Sequence, residues 1–214
     1  MDEELKQIEL MMRGCHMGKR IMKFLKEEGY TLQSGSRSPD KAQIDPEKKT
    51  ISLDTEDMKK NKNDLSYRPD AKERNVLSLI RAACLVKQYK FGQDFFPGNH
   101  ISRTAPISNA DIVATQCAFV NEMEEKSPKL PEIFDKHNLY YPAYKKALFH
   151  TEDIYAARAA AADSYFRHDA LYETPDIAFR KKYIMDFDGT PYYTEPKNTM
   201  FNATVMSKMK QGGR

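Results

Sequence analysis

The chain has 214 residues, of which 40% are hydrophobic and 11% aromatic, a composition that favours a folded protein with a sizeable core over a disordered chain. Its 34 Lys and Arg residues nearly balance 31 Asp and Glu residues, and the net charge of +3 does not indicate a nucleic-acid partner. We therefore expect one globular domain over residues 1–190 and an irregular basic tail over residues 191–214.

The N-terminal stretch MDEELKQIEL is acidic and soon becomes amphipathic, whereas a secretory signal needs a basic start and a short apolar core. No segment approaches the roughly 18 consecutive apolar residues of a membrane helix. Cys15, Cys84 and Cys117 are far apart and form no C-x-x-C pair, which indicates buried, reduced thiols. These features predict a soluble cytoplasmic protein without a membrane partner, with signal-free export as the alternative.

The first part of the chain predicts one helix followed by a small sheet. Apolar residues over positions 3–28 have helical spacing, and Gly29 ends that pattern. Residues 30–54 alternate apolar and polar side chains around the turn sequence DPEKK, which predicts two or three short strands that include a hairpin. A polar linker then leads to a predicted helix over residues 71–91.

The remainder is predicted to be mainly helical. After the predicted loop FGQDFFPGNHISRTAPI, Ser108 and Asp111 resemble a capping box that opens a helix to Lys126. The short helices PEIFDKHN and YPAYKKALF precede an alanine-rich helix over residues 152–172 and a further helix over 175–186. The predicted fold class is α+β and predominantly helical, with a small N-terminal hairpin or sheet packed on a helical bundle.

Two segments of the chain follow each other in the same order as the two helices that carry the ligands of a zinc site. A helix of the H-E-x-x-H type holds two zinc-binding histidines on one face, and its Glu activates the bound water. Here RAACLVKQ, residues 81–88, follows a hairpin and precedes NADI, residues 109–112. The order resembles a bacterial family of zinc metallopeptidases with a zincin-like fold, whose pattern is a helix L-x-HEaRHa-x-Q and then a helix beginning E-A-D-A. The resemblance covers roughly residues 41–126.

The resemblance assigns each family position to a residue of this chain. With Gln88 aligned, Arg81 and Leu85 stand at the two histidines, Ala82 at the catalytic Glu and Asn109 at the acidic third ligand. Leucine cannot coordinate a metal, alanine cannot act as a base, and arginine stays protonated in proteins. The resemblance therefore implies a degenerate zincin-like scaffold with no catalytic residue, no metal and no cofactor.

That scaffold predicts a cleft that is free to bind a partner. We expect Arg81 to pair with Asp111 in the cleft, and the strand at 50–54 and the loop at 95–107 to line it. Phe96 and His100 on that loop are further candidate cleft residues, although Phe96 fits a loop anchor equally well. A protein or peptide could bind there by adding a strand to an edge strand.

Three functional hypotheses follow. The first is a catalytically inactive binding or scaffold module of the zincin-like class. The alternatives are an active metal-dependent peptidase whose ligands are unrecognised, and a helical interaction domain unrelated to zincins, in which residues 76–90 are an ordinary core helix. The five histidines offer no i,i+4 pair that would indicate a metal site.

A second motif lies near the C-terminus. YIMDFDGTPYY, residues 183–193, resembles the D-x-D-G-T nucleophile motif of haloacid-dehalogenase-type phosphatases, with Asp186 and Asp188 at the two acidic positions. That motif opens a doubly wound domain, and too few residues follow Thr190 to build one. A helix end followed by an Asp-Gly turn is the simpler interpretation.

Overall fold

The computed structural model describes residues 2–35, 42–60, 63–91, 101–168 and 175–194. These residues are mainly helical, with one small sheet, as the composition and periodicity predict. The elements in chain order are α1 (Glu3–Arg13), α2 (His16–Glu27), β1 (Thr31–Ser34), β2 (Gln43–Asp45), β3 (Thr50–Leu53), α3 (Glu56–Lys59), α4 (Ala71–Phe91), α5 (Ile101–Met123), α6 (Leu130–Phe134), α7 (Tyr141–Thr151), α8 (Ile154–His168) and α9 (Ile177–Tyr183).

The single N-terminal helix expected over residues 3–28 is wrong, because the chain breaks at Gly14 and Cys15 into α1 and α2. Cys15 has an extended backbone, and its Sγ accepts a hydrogen bond from the Gly18 N–H at 3.3 Å. The carboxylate of Glu122 on α5 accepts another from the Met17 N–H at 2.8 Å. A distant carboxylate therefore caps α2 at the point where local periodicity predicts a continuous helix.

The predicted strands and hairpin are confirmed. The sheet has the order β1-β3-β2, in which β1 and β3 are parallel and β2 and β3 form an antiparallel hairpin across the turn at 46–49. Ile51 at its centre is paired with Leu32 and Ile44, and is fully buried. Because β3 is paired on both sides, it is the central strand of the sheet, and an added partner strand could pair only with β1 or β2.

The helix predicted over residues 71–91 is confirmed as α4, whereas the start of α5 is not where the sequence indicated. Helix α5 begins at Ile101, so Pro106 and Ser108 lie inside it and the expected capping box at Ser108 is wrong. The side chains of Ser108 and Asp111 are buried instead of capping a helix end. The two predicted short helices are α6 and α7, and Asp153 begins α8 by accepting the Tyr155 N–H at 2.8 Å.

Helix α5 is the centre of the packed body, in contact with α2, α4, α6, α7 and α8. The described part of α5 buries Ile107, Ala114, Cys117 and Phe119 completely. No helix in the described part of the chain has the length and apolar character needed to cross a membrane.

The C-terminal segment packs into the core, and its burial extends to Tyr192 and Tyr193, which lie in the stretch 191–214 that is expected to be a tail outside the domain. Its buried apolar residues are Ile184, Met185, Phe187, Tyr192 and Tyr193. A backbone bridge between Met185 and Pro191 closes this segment on itself. The packed body therefore extends past residue 190, and the rest of the expected tail, 195–214, lies outside the described residues.

Candidate functional site

The two positions that the resemblance assigns to zinc-binding histidines lie on the solvent-facing side of α4. Arg81 and Leu85 are one helical turn apart and both exposed, whereas Ala82 between them is buried. Tyr89 continues this side of the helix and is 61% exposed. The chain thus presents an arginine, a leucine and a tyrosine in line along one helix.

A shallow groove of about 190 Å³ runs beside Arg81, where α4, α5 and α6 meet. Arg74 at one end of the groove is paired with Asp70, with 2.7 Å between its Nε and a carboxylate oxygen. Arg81 has no hydrogen bond or ion pair with any residue that the structure describes. The groove is lined by Arg74, Leu77, Ser78, Arg81, Gln116 and Ile133. We call these residues, together with Leu85 and Tyr89, the α4 face.

The residues at the positions that the resemblance assigns to zinc ligands do not fit a zinc ion. Leu85 and Ala82 carry no atom that can coordinate a metal, and the guanidinium of Arg81 has no lone pair to offer. Asn109, at the third ligand position, is half-buried, and its Nδ2 donates a hydrogen bond to the Tyr165 hydroxyl at 3.2 Å. Within the described ranges, no group of three or more His, Cys, Asp or Glu side chains is arranged to hold a metal ion.

The expected pairing of Arg81 with Asp111 is wrong. The Asp111 carboxylate is fully buried and lies 2.6 Å from the Lys87 ammonium, while Gln88 Nε2 donates to it at 3.1 Å. Helices α4 and α5 run antiparallel, so Asp111 lies level with Lys87 and Gln88, and Arg81 lies level with Gln116. The other two candidate cleft residues, Phe96 and His100, lie outside the described part of the chain.

A buried charge cluster, which the sequence did not reveal, ties four helices to the C-terminal segment. Lys87 pairs with Asp111, and Asp186 pairs with Arg158 at 3.2 Å and with Arg20 at 2.7 Å. Each member except Arg20 is almost completely buried. The members are separated by 20 or more residues, so no local pattern could have predicted the cluster. We define it as Arg20, Lys87, Asp111, Arg158 and Asp186.

Tyrosines complete the hydrogen bonding of this cluster. The Tyr192 hydroxyl donates to Asp111 at 3.1 Å, and the Tyr192 ring lies 3.9 Å from the Arg158 guanidinium carbon. The Tyr155 hydroxyl donates to Asp186, also at 3.1 Å. Stacking on an aromatic ring and pairing with a carboxylate together offset much of the cost of burying a guanidinium.

The D-x-D-G-T motif is an Asp-Gly turn, as the simpler interpretation predicted. Gly189 has φ of +83°, and Asp188 accepts the Thr190 N–H at 2.9 Å, which closes the turn. Asp186 precedes the turn, and both of its carboxylate oxygens are bound in the interior by Arg20 and Arg158. A carboxylate held in this way is poorly suited to attack a phosphate.

Comparison with known proteins adds no relative from which a role could be transferred. No family model, no curated protein and no solved structure matches the chain. The site is therefore interpreted from its own chemistry.

The electrostatics of the cluster make the chain sensitive to acid. Burial acts to raise the pKa of Asp186, but the charges of Arg158 and Arg20 outweigh it and lower this pKa from 3.8 to about 2. Because the folded pKa is below the unfolded value, the carboxylate stabilises the fold above about pH 4. That contribution is lost as the pH falls toward 2.

The three cysteines are buried free thiols, as predicted. Burial raises the pKa of Cys15 and Cys84 to about 11, and raises the pKa of Cys117 well above 9. The thiolate is the reactive form of cysteine, so these side chains are chemically inert in the folded protein.

Proposed function

We propose that this chain is a non-catalytic binding module on a degenerate zincin-like scaffold, and that the α4 face binds a protein segment. The observation that carries the proposal is Arg81, an exposed guanidinium in a groove that has no carboxylate partner among the described residues. Its position is the one at which an active relative would hold its first zinc-binding histidine. The chain thus has a cationic anchor where peptidase chemistry would need a metal ligand.

The chemistry of the α4 face favours an acidic partner with an apolar side chain nearby. A guanidinium offers parallel N–H donors that match the two oxygens of a carboxylate. Leu85 lies one turn away and is 36% exposed, and Tyr89 one turn further is 61% exposed. Arginine and tyrosine are enriched among the residues that dominate protein interfaces. The partner segment is therefore expected to place an Asp or Glu beside a large apolar residue.

The order of elements supports the zincin-like part of the proposal. A hairpin, β2 and β3, precedes α4 and packs against it, and α5 then packs alongside α4. This is the order that the resemblance implies for a zinc peptidase helix and the helix that carries its third ligand.

The test is a peptide selection followed by measured affinities. A library of displayed random peptides is selected on the purified chain, and the recovered peptides are labelled and titrated by fluorescence polarisation. We expect the selected sequences to contain Asp or Glu next to an apolar residue. Arg81→Glu should weaken their binding about tenfold or more, because a carboxylate would then face a carboxylate. Leu85→Asp should weaken it as well.

The matched control is Arg13→Glu, which makes the same charge change at an exposed arginine on α1. It should leave the affinity unchanged. Equal binding by the wild type, Arg81→Glu and Leu85→Asp would show that the α4 face is not the interface. Stoichiometric zinc in the purified chain, with chelator-sensitive peptide cleavage, would instead support the active-peptidase alternative.

A further inference from the structure

A second site, made of residues other than those of the α4 face, is formed where the C-terminal segment meets the helices. We call residues 184–193 the C-terminal clasp. Lys87 donates to the Met185 carbonyl at 2.6 Å, and the Phe187 ring lies 5.2 Å from the Phe24 ring on α2. The Tyr192 hydroxyl reaches Asp111 on α5. The clasp therefore closes over a region shared by α2, α4, α5 and α8.

The carboxylate of Asp186 is bound as an external carboxylate ligand would be. One oxygen lies 2.7 Å from Arg20 Nη2 and accepts the Tyr155 hydroxyl at 3.1 Å. The other oxygen lies 3.2 Å from Arg158 Nη1 and accepts the Phe187 N–H at 2.9 Å. Two guanidinium groups and a phenol thus converge on a single carboxylate from two different helices.

Two properties of this arrangement suggest a binding site for an anion in addition to a structural contact. The buried charge cluster contains three cations and two carboxylates, so it favours an additional negative charge. The fully buried Arg158 has two nitrogens, Nε and Nη1, with no hydrogen-bond partner in the described protein, so Nη1 contacts Asp186 as an ion pair only.

Two of the three side chains that contact Asp186 are partly exposed to solvent. The Arg20 side chain is 28% exposed and Tyr155 is 40% exposed, whereas Arg158 behind them is 1% exposed. If the Asp186 carboxylate were absent, a small anion that reached Arg20 and Tyr155 from water would also lie close to the buried Arg158. These two partly exposed side chains are the ones that contact Asp186 Oδ2.

We propose that Arg20, Tyr155 and Arg158 form a carboxylate-binding pocket that the C-terminal clasp fills with Asp186 as an internal ligand. The class of ligand that fits is a small carboxylate or a carboxylate side chain, because the donors converge on two oxygens that share one carbon. The proposal is independent of the α4 face, since none of these three residues belongs to it.

The test replaces the internal ligand with an external one. Asp186→Ala removes the carboxylate and leaves a space of its size, and sodium formate supplies the lost group. The melting temperature of the variant is measured in formate and in sodium chloride of equal ionic strength. With formate at ten times its Kd, we expect the melting temperature to rise by about 3 to 6 °C relative to chloride. Sodium phosphate is the third arm and should give a smaller rise.

Two variants control this experiment. Asp188→Ala removes an exposed carboxylate two residues away, and Asp186→Asn keeps the pocket filled by a neutral side chain. In neither variant should formate raise the melting temperature by more than it does in the wild type. An equal formate effect in Asp186→Ala and Asp188→Ala would overturn the pocket, and a phosphate effect equal to that of formate would overturn the carboxylate assignment. If Asp186→Ala does not fold in chloride, refolding yield replaces melting temperature, and a yield that formate fails to raise counts against the proposal.

Discussion

Replacing Lys87 with methionine is the sharpest test of the buried charge cluster. The substitution keeps an unbranched side chain that is one heavy atom shorter, and it removes the charge and the hydrogen-bond donors. The Lys87 ammonium is completely buried, 2.6 Å from Asp111 and 2.6 Å from the Met185 carbonyl. Lys87→Met therefore leaves a fully buried carboxylate without its cation.

The expected loss in the free energy of unfolding is large for a single substitution. Removing one partner of a buried ion pair typically costs about 3–5 kcal/mol, because the remaining charge is uncompensated. In a chain of this size each kcal/mol corresponds to roughly 2–4 °C, which gives a fall in melting temperature of about 6–20 °C. The hydrogen bonds from Tyr192 and Gln88 to Asp111 persist and keep the loss within this range.

Most of that loss should be recovered by neutralising the partner. In the double variant Lys87→Met, Asp111→Asn, no buried charge is left unpaired, and the Asn oxygen still accepts the Tyr192 hydroxyl. We expect more than half of the lost free energy of unfolding to return. The remaining deficit of about 1 kcal/mol corresponds to the hydrogen bond to the Met185 carbonyl, which both variants lack.

The measurement is urea unfolding followed by circular dichroism, with Lys90→Met as the control on the same helix. Lys90 is 41% exposed and pairs with Glu28 at the surface, where an ion pair contributes about 0–1 kcal/mol. If Lys87→Met lowers the free energy of unfolding by no more than Lys90→Met does, the buried ion pair of Lys87 and Asp111 does not stabilise the fold as expected. Additive losses in the double variant would refute the reasoning just as directly.

Three further predictions follow from the same structure. The wild type should be more stable than Asp186→Asn at pH 5, and this difference in free energy of unfolding should shrink by about 2 kcal/mol by pH 2. The reason is that the folded state lowers the pKa of Asp186 to about 2. Urea titrations measure the difference, and a difference that does not change with pH contradicts the prediction. Gly18→Ala should destabilise the fold by at least about 1–3 kcal/mol, since its Cβ would lie 1.9 Å from the Met12 carbonyl oxygen, whereas Gly14→Ala meets its nearest atom at 3.0 Å and should cost less. All three thiols should be unreactive toward Ellman's reagent in the native protein and react fully in denaturant, and rapid native reaction of any one would show that its burial is wrong.

The sequence alone predicted the elements that are stabilised by residues close together in the chain. The hairpin follows from alternating side chains on either side of DPEKK, and α4 follows from sustained helical spacing over residues 71–91. Gly29 follows the end of α2 with φ of +76°, a conformation that glycine adopts without strain. In each of these elements the chain neighbours supply the decisive interactions.

Local patterns failed where a distant residue supplies the interaction. The helix break before α2 is stabilised by Glu122, more than a hundred residues away, and no spacing rule near Cys15 contains that information. Asp111 looked like a capping residue because it follows Ser108 by three positions, yet it is the buried partner of Lys87. The sequence around a titratable residue in a helix does not show whether its side chain faces water or pairs with another charge in the interior.

The sequence by itself determined the class of fold, the main helices and the chemistry that Arg81, Ala82 and Leu85 exclude, because side-chain identity decides what can bind a metal or accept a proton. Only the tertiary structure decided that Arg81 faces solvent while Lys87, six residues along the same helix, is completely buried. It also brought Asp186 between Arg20 and Arg158. The reason is physical: desolvation and ion pairing depend on which helices pack together, and packing joins residues that the chain keeps far apart.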